Sequence, residues 1–168
     1  MSAKSTVDIL KEAILLEKRG KAFYSTVAKQ SQSEAAKKIF TMMAEEEDEH
    51  IKFLAEQYKS YMEDGTFIKP GEHTEAADEE TAMQILTDEI KKEISAASFE
   101  ASAISAAMDF ETRAVKIYSD RAKEATDPTE KEAYKMLADW ESGHHKLLHQ
   151  LNEDLKEQIW NDNSFWPF

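Results

Sequence analysis

The chain has 168 residues, no cysteine, few glycines and prolines, and a formal net charge of −13. This length fits one domain with a sizeable core, the composition favours helix, and the negative charge argues against a nucleic-acid partner. Without cysteine these residues form no disulfide, iron–sulfur cluster or rubredoxin-type iron site, and without a signal-peptide or membrane-spanning run we expect a soluble cytoplasmic protein with no membrane partner.

The first two predicted elements form a helix pair over residues 6–62. Apolar residues recur at helical spacing over about 6–30 and again over about 33–62. Between them, Ser31-Gln32-Ser33 supplies a polar turn with a serine that can cap the second helix. A turn this short makes the two helices antiparallel neighbours.

A long crossover, residues 63–97, follows the first pair. It opens with an irregular stretch that contains Gly65, Pro70 and Gly71, and a short helix is predicted within it at roughly 79–95. A connection of this length lets a second helix pair pack beside the first. It is also long enough for two subunits to exchange helix pairs.

The second helix pair is predicted over residues 98–160, with its turn near residue 127. The start signal of the last helix is strong, because Asp127 can cap it, Pro128 takes its first position and Glu130 its third. The pattern therefore predicts helices over about 98–126 and 128–160.

An aromatic tail, residues 161–168, ends the chain and follows Trp160. It is too apolar to be loose, so it is predicted to pack on the bundle or on a second subunit. Together with the long crossover, the tail favours a homodimer. The whole pattern predicts an all-α four-helix bundle, built from two helix pairs in a single domain over residues 1–168.

The two helix pairs repeat each other in sequence. Residues 8–58 align with residues 102–152 without a gap, at a constant offset of 94. Each half carries a glutamate on its first helix and a Glu-x-x-His motif on its second, which is the ligand set of a carboxylate-bridged di-metal centre in a four-helix bundle. The identical positions include Glu17/Glu111, Tyr24/Tyr118, Glu47/Glu141 and His50/His144.

The spacing of these motifs brings the side chains to one level of the bundle. In an antiparallel hairpin, residues equidistant from the turn lie at the same height, and the midpoints of Glu17/Glu47 and of Glu111/Glu141 both fall at turns. Residues three apart share a helix face, so each histidine points with the glutamate of its motif. All six side chains lie on the apolar stripes. Within the acidic run 45–49 only Glu47 does so, and the other four residues are predicted to face solvent.

Carboxylates on an apolar stripe need a counter-charge. Each one buried unpaired would cost at least several kcal/mol, and no lysine or arginine shares the stripes nearby. Two divalent cations would neutralise four carboxylates, while two imidazoles would supply neutral nitrogens. Oxygen and imidazole ligands suit iron or manganese, and ligand type alone leaves zinc open. A purely structural bundle is the competing interpretation, and two matched motifs favour the metal site over it.

For Tyr24 and Tyr118, two interpretations stay open. Each tyrosine lies two turns from the glutamate of its own helix and on the same face. The hydroxyl groups could hydrogen-bond a metal ligand or take part in redox chemistry, which makes both residues candidate catalytic residues outside the ligand set. Plain core packing is the comparable alternative.

Three stretches resemble the rubrerythrin-type branch of the ferritin-like superfamily: residues 16–24 (LEKRGKAFY), 43–50 (MAEEEDEH) and 137–144 (LADWESGH). The resemblance covers about residues 6–156. It implies a ferritin-like fold, two iron ions per chain, and reduction of hydrogen peroxide or dioxygen or, alternatively, ferroxidase chemistry in iron handling. The implied terminal ligands are Glu17 and Glu111, the implied bridges Glu47 and Glu141, and the implied nitrogen ligands His50 and His144.

The chain departs from the family pattern in two places. The rubredoxin-like domain of full rubrerythrins, which holds iron on four cysteines, is absent from these 168 residues, so the resemblance implies an external electron donor such as a rubredoxin-like protein. Full rubrerythrins also carry an additional glutamate three residues after the third-helix ligand, and here that position is Ala114. We therefore expect the symmetric six-ligand kind of site found in bacterioferritin-like proteins, with His50 bound in both oxidation states.

Overall fold

The computed structural model describes residues 5–71, 87–95 and 98–161, and contains no strand in these ranges. A further helical segment covers residues 87–93, which agrees with the end of the short helix predicted at 79–95; residues 79–86 lie outside the described part. The prediction of an all-α, ferritin-like bundle is confirmed. The four long helices are α1 (Thr6–Gln30), α2 (Glu34–Asp64), α3 (Phe99–Glu124) and α4 (Pro128–Asn161).

Each long helix begins at a short polar side chain that accepts a hydrogen bond from the first turn. Ser5, Ser33 and Ser98 cap α1, α2 and α3 in this way, and the Asp127 carboxylate accepts from the Glu130 amide at 2.8 Å at the start of α4. At the other end of α2, Gly65 adopts a φ of 70°, a left-handed conformation that glycine reaches without strain. These caps set the helix ends and hence the height of each candidate ligand above its turn.

The helices pack as two hairpins, α1 with α2 and α3 with α4, placed side by side. Apolar side chains fill the interior in two groups. One lies towards the turn between α1 and α2 and includes Phe40 and Met43, and the other lies towards the turn between α3 and α4 and includes Tyr134 and Leu137. A layer of buried polar side chains lies between the two groups.

Long-range hydrogen bonds tie the end of the crossover and the start of α3 to the first hairpin. Glu93 accepts from the Ser33 hydroxyl at 2.5 Å and from the Ala35 amide at 3.1 Å, and Glu100 accepts from the Gln32 amide at 2.7 Å. Both carboxylates therefore lie at the positive N-terminal end of α2, where the helix dipole favours them. This contact fixes the start of α3 against the turn of the first hairpin.

None of the described helices has an apolar stretch long enough to cross a bilayer. The predicted aromatic tail, residues 161–168, lies beyond the end of the described part except for the backbone of residue 161. The homodimer that the tail favours stays a prediction.

Candidate metal centre

The buried polar layer consists of the six side chains that the repeat singled out. One glutamate comes from each of α1 and α3, and a Glu-x-x-His motif from each of α2 and α4. The four carboxylates are at most 1% exposed, and the two imidazoles are 5% and 7% exposed. Side chains of this polarity are almost never buried to this extent without a counter-charge. The six residues are Glu17, Glu47, His50, Glu111, Glu141 and His144.

These side chains form two overlapping groups of four. In each group one nitrogen or oxygen from every residue lies within 4.8 Å of the others. The His50 site comprises Glu17, Glu47, His50 and Glu141, and the His144 site comprises Glu47, Glu111, Glu141 and His144. Glu47 and Glu141 belong to both sites, whereas Glu17 and Glu111 each belong to one.

In the His50 site, three carboxylates converge on a single ring nitrogen. His50 Nδ1 lies 3.3 Å from Glu17 Oε2, 3.4 Å from Glu47 Oε2 and 3.0 Å from Glu141 Oε1. One nitrogen carries at most one hydrogen and cannot donate to three oxygens. Of the three contacts only the one with Glu17 has hydrogen-bond geometry. Hydrogen bonding therefore does not account for this arrangement. A cation at the centre of the four side chains would account for it, because all of their polar atoms could then bind that cation.

The His144 site shows the same convergence. His144 Nδ1 lies 3.4 Å from Glu111 Oε1 and 3.5 Å from one oxygen each of Glu47 and Glu141. None of these contacts has hydrogen-bond geometry, so Nδ1 lacks a partner among the described residues. The same is true of both oxygens of Glu47, both oxygens of Glu141 and one oxygen of Glu111. Unpartnered buried polar atoms are rare and costly, and together they fit two divalent cations held by carboxylate oxygen and imidazole nitrogen.

Without a metal, the site balances its charge by an uneven distribution of protons. Burial raises the pKa of Glu17 well above its usual range and raises that of Glu111 to about 8. Burial acts in the same direction on Glu47 and Glu141, but contacts with His144 and His50 outweigh it and lower the pKa of both carboxyls. The two shared carboxyls are therefore the more acidic members of the site, and the two unshared carboxyls hold their protons more tightly.

The histidines complete this balance. Burial lowers the pKa of an imidazole, but the hydrogen bonds and charges of the surrounding carboxylates outweigh burial and raise the pKa of His50 and His144 well above the ordinary value. The raised pKa values favour the imidazolium form of both rings, which face the more acidic carboxyls of Glu47 and Glu141. A divalent cation must displace these protons to bind.

Tyr24 and Tyr118 each hydrogen-bond a glutamate of the opposite helix pair. The Tyr24 hydroxyl donates to Glu111, and the Tyr118 hydroxyl donates to Glu17. Burial, together with the nearby carboxylates, raises the pKa of both tyrosines, which keeps them protonated and able to donate. Of the two interpretations left open by the sequence, the geometry supports the hydrogen bond to a candidate ligand. The repeat could not show that each bond crosses to the other half.

Behind the histidines, the two halves differ. His144 Nε2 lies 2.6 Å from Glu46 Oε2, although the sequence placed Glu46 on a solvent-facing surface; its side chain is 37% exposed and reaches from α2 to α4. On the other histidine, the Trp140 ring stacks on His50 with centroids 4.8 Å apart and planes at 5°. Sequence reasoning missed both contacts. The sequence does carry one signal for these contacts. Glu46 and Trp140 each lie one position before the glutamate of a Glu-x-x-His motif, at the edge of the buried helix face.

Comparison with known proteins gives one match. A family model described as Rubrerythrin matches residues 8–152 of this chain. No curated protein and no solved structure matches it. The matched range contains all six residues of the two sites, together with Tyr24, Tyr118, Glu46 and Trp140.

Proposed function

Because the chain belongs to the rubrerythrin family, whose members bind a di-iron centre, we propose that it is a non-haem di-iron oxidoreductase that reduces hydrogen peroxide or dioxygen. Family membership supports a di-iron protein of oxidoreductase type. The observation that carries the proposal is the pair of overlapping sites, in which the polar atoms of six buried side chains converge without hydrogen-bond partners.

In this proposal the six residues divide into shared and unshared ligands. Glu47 and Glu141 take part in both sites and would bridge two ions, while Glu17 and Glu111 would each hold one. Both histidines present Nδ1 to the carboxylates, so Nδ1 is the proposed ligand atom in each half. Four ionised carboxylates and two neutral imidazoles balance two divalent charges, which supports this division of roles.

When bound, a pair of iron ions supplies electrons and Lewis acidity to an oxygen substrate. The chain's own residues supply the setting for that reaction. Tyr24 and Tyr118 hold the unshared carboxylates by hydrogen bonds from the opposite helix pair, which fixes their orientation. The two apolar groups above and below exclude water from the layer between them. Electrostatic interactions within this layer are accordingly stronger than in water.

We propose that the electrons come from a separate donor such as a rubredoxin-like protein. Reduction of hydrogen peroxide to two waters consumes two electrons and two protons, and the 168 residues contain no cysteine with which to hold an electron-transfer iron of their own. Ala114 is 1% exposed and packs in the apolar interior, so that position offers no carboxylate for a change of ligand. We therefore expect His50 to stay bound in both oxidation states.

The second candidate function is that of a ferroxidase in iron handling. Two features favour it: the symmetric set of three carboxylates and one imidazole around each position, and the absence of a carboxylate at Ala114. Both functions need oxidation of bound Fe(II), and they differ in the fate of the oxidised iron. An oxidoreductase returns it to the reduced state with electrons from its donor, whereas a ferroxidase passes it on. Manganese and zinc are the alternative metals for the same donor atoms.

The two functions can be separated by kinetics on protein loaded anaerobically with two equivalents of Fe(II). Rapid mixing with peroxide should oxidise the bound iron in a single turnover, and a supplied reductant should then sustain peroxide consumption with the iron retained. Retention and sustained turnover support the oxidoreductase, while a single oxidation followed by loss of iron supports the ferroxidase. If neither peroxide nor dioxygen oxidises the iron of the loaded protein faster than that of the Glu47→Gln variant treated in the same way, both proposals fail.

A further inference from the structure

Positions 46 and 140 are equivalent in the two halves, because the repeat relates them by the same offset of 94 that relates His50 to His144. The residues differ: position 46 is glutamate and position 140 is tryptophan. Each side chain contacts the histidine of the other half rather than that of its own helix. This position therefore breaks the internal symmetry directly behind the two candidate nitrogen ligands.

His144 has a carboxylate behind it. The distance of 2.6 Å between its Nε2 and Glu46 Oε2 is that of a short, charge-assisted hydrogen bond. A histidine that donates Nε2–H to a carboxylate keeps the lone pair of Nδ1 directed at a metal, with a fixed ring orientation and greater basicity. Nδ1 of this ring is the atom that faces Glu47, Glu111 and Glu141 without a hydrogen-bond partner.

His50 has an aromatic ring behind it. The Trp140 stack holds the imidazole plane, and Phe53 supports the indole edge-on with centroids 5.4 Å apart. Within the described residues, the only carboxylates within ion-pair distance of His50 are Glu17, Glu47 and Glu141, all members of its own site. The stack orients the ring and adds no negative charge.

We propose that the two metal positions have unequal affinity, with the His144 site filled first, and that Glu46 is the positioning residue responsible. This inference rests on the proposed di-metal centre. Outer partners of metal-binding histidines typically change metal affinity by about 10- to 100-fold, which sets the expected difference between the sites. The other supporting contacts do not offset it, because Tyr24 and Tyr118 bond their glutamates alike in both halves.

The experiment is a titration of the full-length metal-free protein with Co(II), followed by visible absorption and by calorimetry. Wild type should bind two ions in two resolved steps. Crystals prepared with one equivalent of Co(II) should show most of the anomalous density in the His144 site. Glu46→Gln retains the shape of the side chain and removes its charge, so it should weaken the first step by about 10- to 100-fold and bring the two steps together. Glu45→Gln, at an exposed neighbouring position, is the matched control and should leave both steps unchanged.

A second variant tests whether the aromatic ring behind His50 affects the affinity of the His144 site. Trp140→Phe keeps an aromatic ring beside His50 and introduces no charge, so it should leave the affinity of the first step unchanged. Three results would each overturn the inference while leaving the di-metal centre intact. The two positions could be equally occupied at one equivalent of Co(II), the His50 site could fill first, or Glu46→Gln could weaken both binding steps equally. Failure of the wild type to bind Co(II) at either position would overturn the proposed function, and this inference with it.

Discussion

Residues 24 and 118 are both tyrosine, whereas residues 46 and 140 are glutamate and tryptophan, although both pairs occupy equivalent positions in the two helix pairs. The tyrosines lie deep in the bundle and make the same bond in each half. Glu46 and Trp140 lie at its half-buried edge and contact the two histidines in different ways. The buried tyrosines that bond the unshared glutamates therefore preserve the symmetry of the repeat, whereas the half-buried side chains behind the two histidines break it.

A second contrast separates the candidate ligands that belong to both metal sites from those that belong to only one. The carboxyls that belong to both sites, Glu47 and Glu141, have lowered pKa values because both histidines contact them. The carboxyls that belong to one site, Glu17 and Glu111, have raised pKa values because burial dominates. Substitutions that separate these classes should therefore have different effects on metal binding.

The largest effect should come from removing a shared carboxylate. Glu47→Gln takes a ligand from both sites, so the binding of both ions should weaken, by more than the roughly 10- to 100-fold typical of outer partners. Glu17→Gln takes a ligand from the His50 site alone and should leave one ion bound at the His144 site. Anaerobic equilibrium dialysis with Fe(II) measures both stoichiometries. Equal losses in the two variants would show that the sites do not share Glu47.

The next effect concerns protons. Loading two divalent ions at neutral pH should release protons from Glu17, Glu111, His50 and His144, because the pKa of each is raised and metal binding requires deprotonated ligands. Calorimetry in buffers of different ionisation enthalpy counts them. Release of no protons would contradict the charge distribution proposed for the metal-free site.

The same protons determine how the stability of the metal-free protein changes with pH. The pKa of Glu111 rises from an unfolded value of 4.5 to about 8, so the folded state holds more protons between these values and its free energy of unfolding falls as pH rises through that window. Bound metal neutralises the ionised carboxylates, so the rise in Tm on metal loading should be larger at about pH 8 than at about pH 6. A rise independent of pH would contradict this account.

A smaller pair of effects should have opposite signs. Tyr118 donates to Glu17, so Tyr118→Phe should lower the free energy of unfolding by about 1–3 kcal/mol. Tyr134 stacks on Tyr118 with centroids 6.3 Å apart, and its buried hydroxyl has no partner among the described residues. Its equivalent in the other half is Phe40, which stacks on Tyr24 in the same way. Tyr134→Phe should therefore raise the free energy of unfolding by about 1 kcal/mol. Urea denaturation measures the free energy of unfolding of both variants. If Tyr134→Phe also destabilises the protein, the Tyr134 hydroxyl is not unpartnered.

The smallest effect on stability should come from two helical glycines. A Cβ on Gly143 would meet nothing within 4 Å, so Gly143→Ala should stabilise the protein by up to about 1 kcal/mol. A Cβ on Gly20 would lie 3.0 Å from the Phe110 ring and 3.2 Å from the Glu47 carboxyl carbon. In Gly20→Ala, crowding of about 1–3 kcal/mol should offset the gain in helix propensity. Displacement of Glu47 should also weaken metal binding, which Co(II) titration measures. Unchanged binding would mean that the Phe110 ring moves to accommodate the new methyl group and that Glu47 keeps its position.

Much of the fold could be predicted from the sequence because helical periodicity and caps are local signals. The pattern predicts the first helix over about 6–30, and α1 runs over Thr6–Gln30. The second helix is predicted to end at about residue 62, and α2 continues to Asp64, where Gly65 ends it. The burial of the six candidate ligands on one layer was also predictable, because they fall on the apolar stripes at helical spacing.

The contacts around the candidate ligands could not be predicted, because they depend on how the two hairpins face each other. Tyr118 and Glu17 are far apart in sequence, and no periodicity states which tyrosine meets which carboxylate. Glu46 lies at the edge of the apolar stripe, where helix geometry alone indicates solvent. Its long side chain nevertheless reaches His144 on the neighbouring helix. Periodicity assigns a face to a residue, but the partner across the interface depends on rotation and spacing of the helices.

The central claim is that the six buried side chains hold two metal ions. The most direct measurement is anomalous scattering at the iron edge from crystals of the protein loaded anaerobically with Fe(II). We expect two peaks, one within the His50 site and one within the His144 site, with Glu47 and Glu141 in contact with both. An absence of anomalous density between the six side chains would contradict the claim.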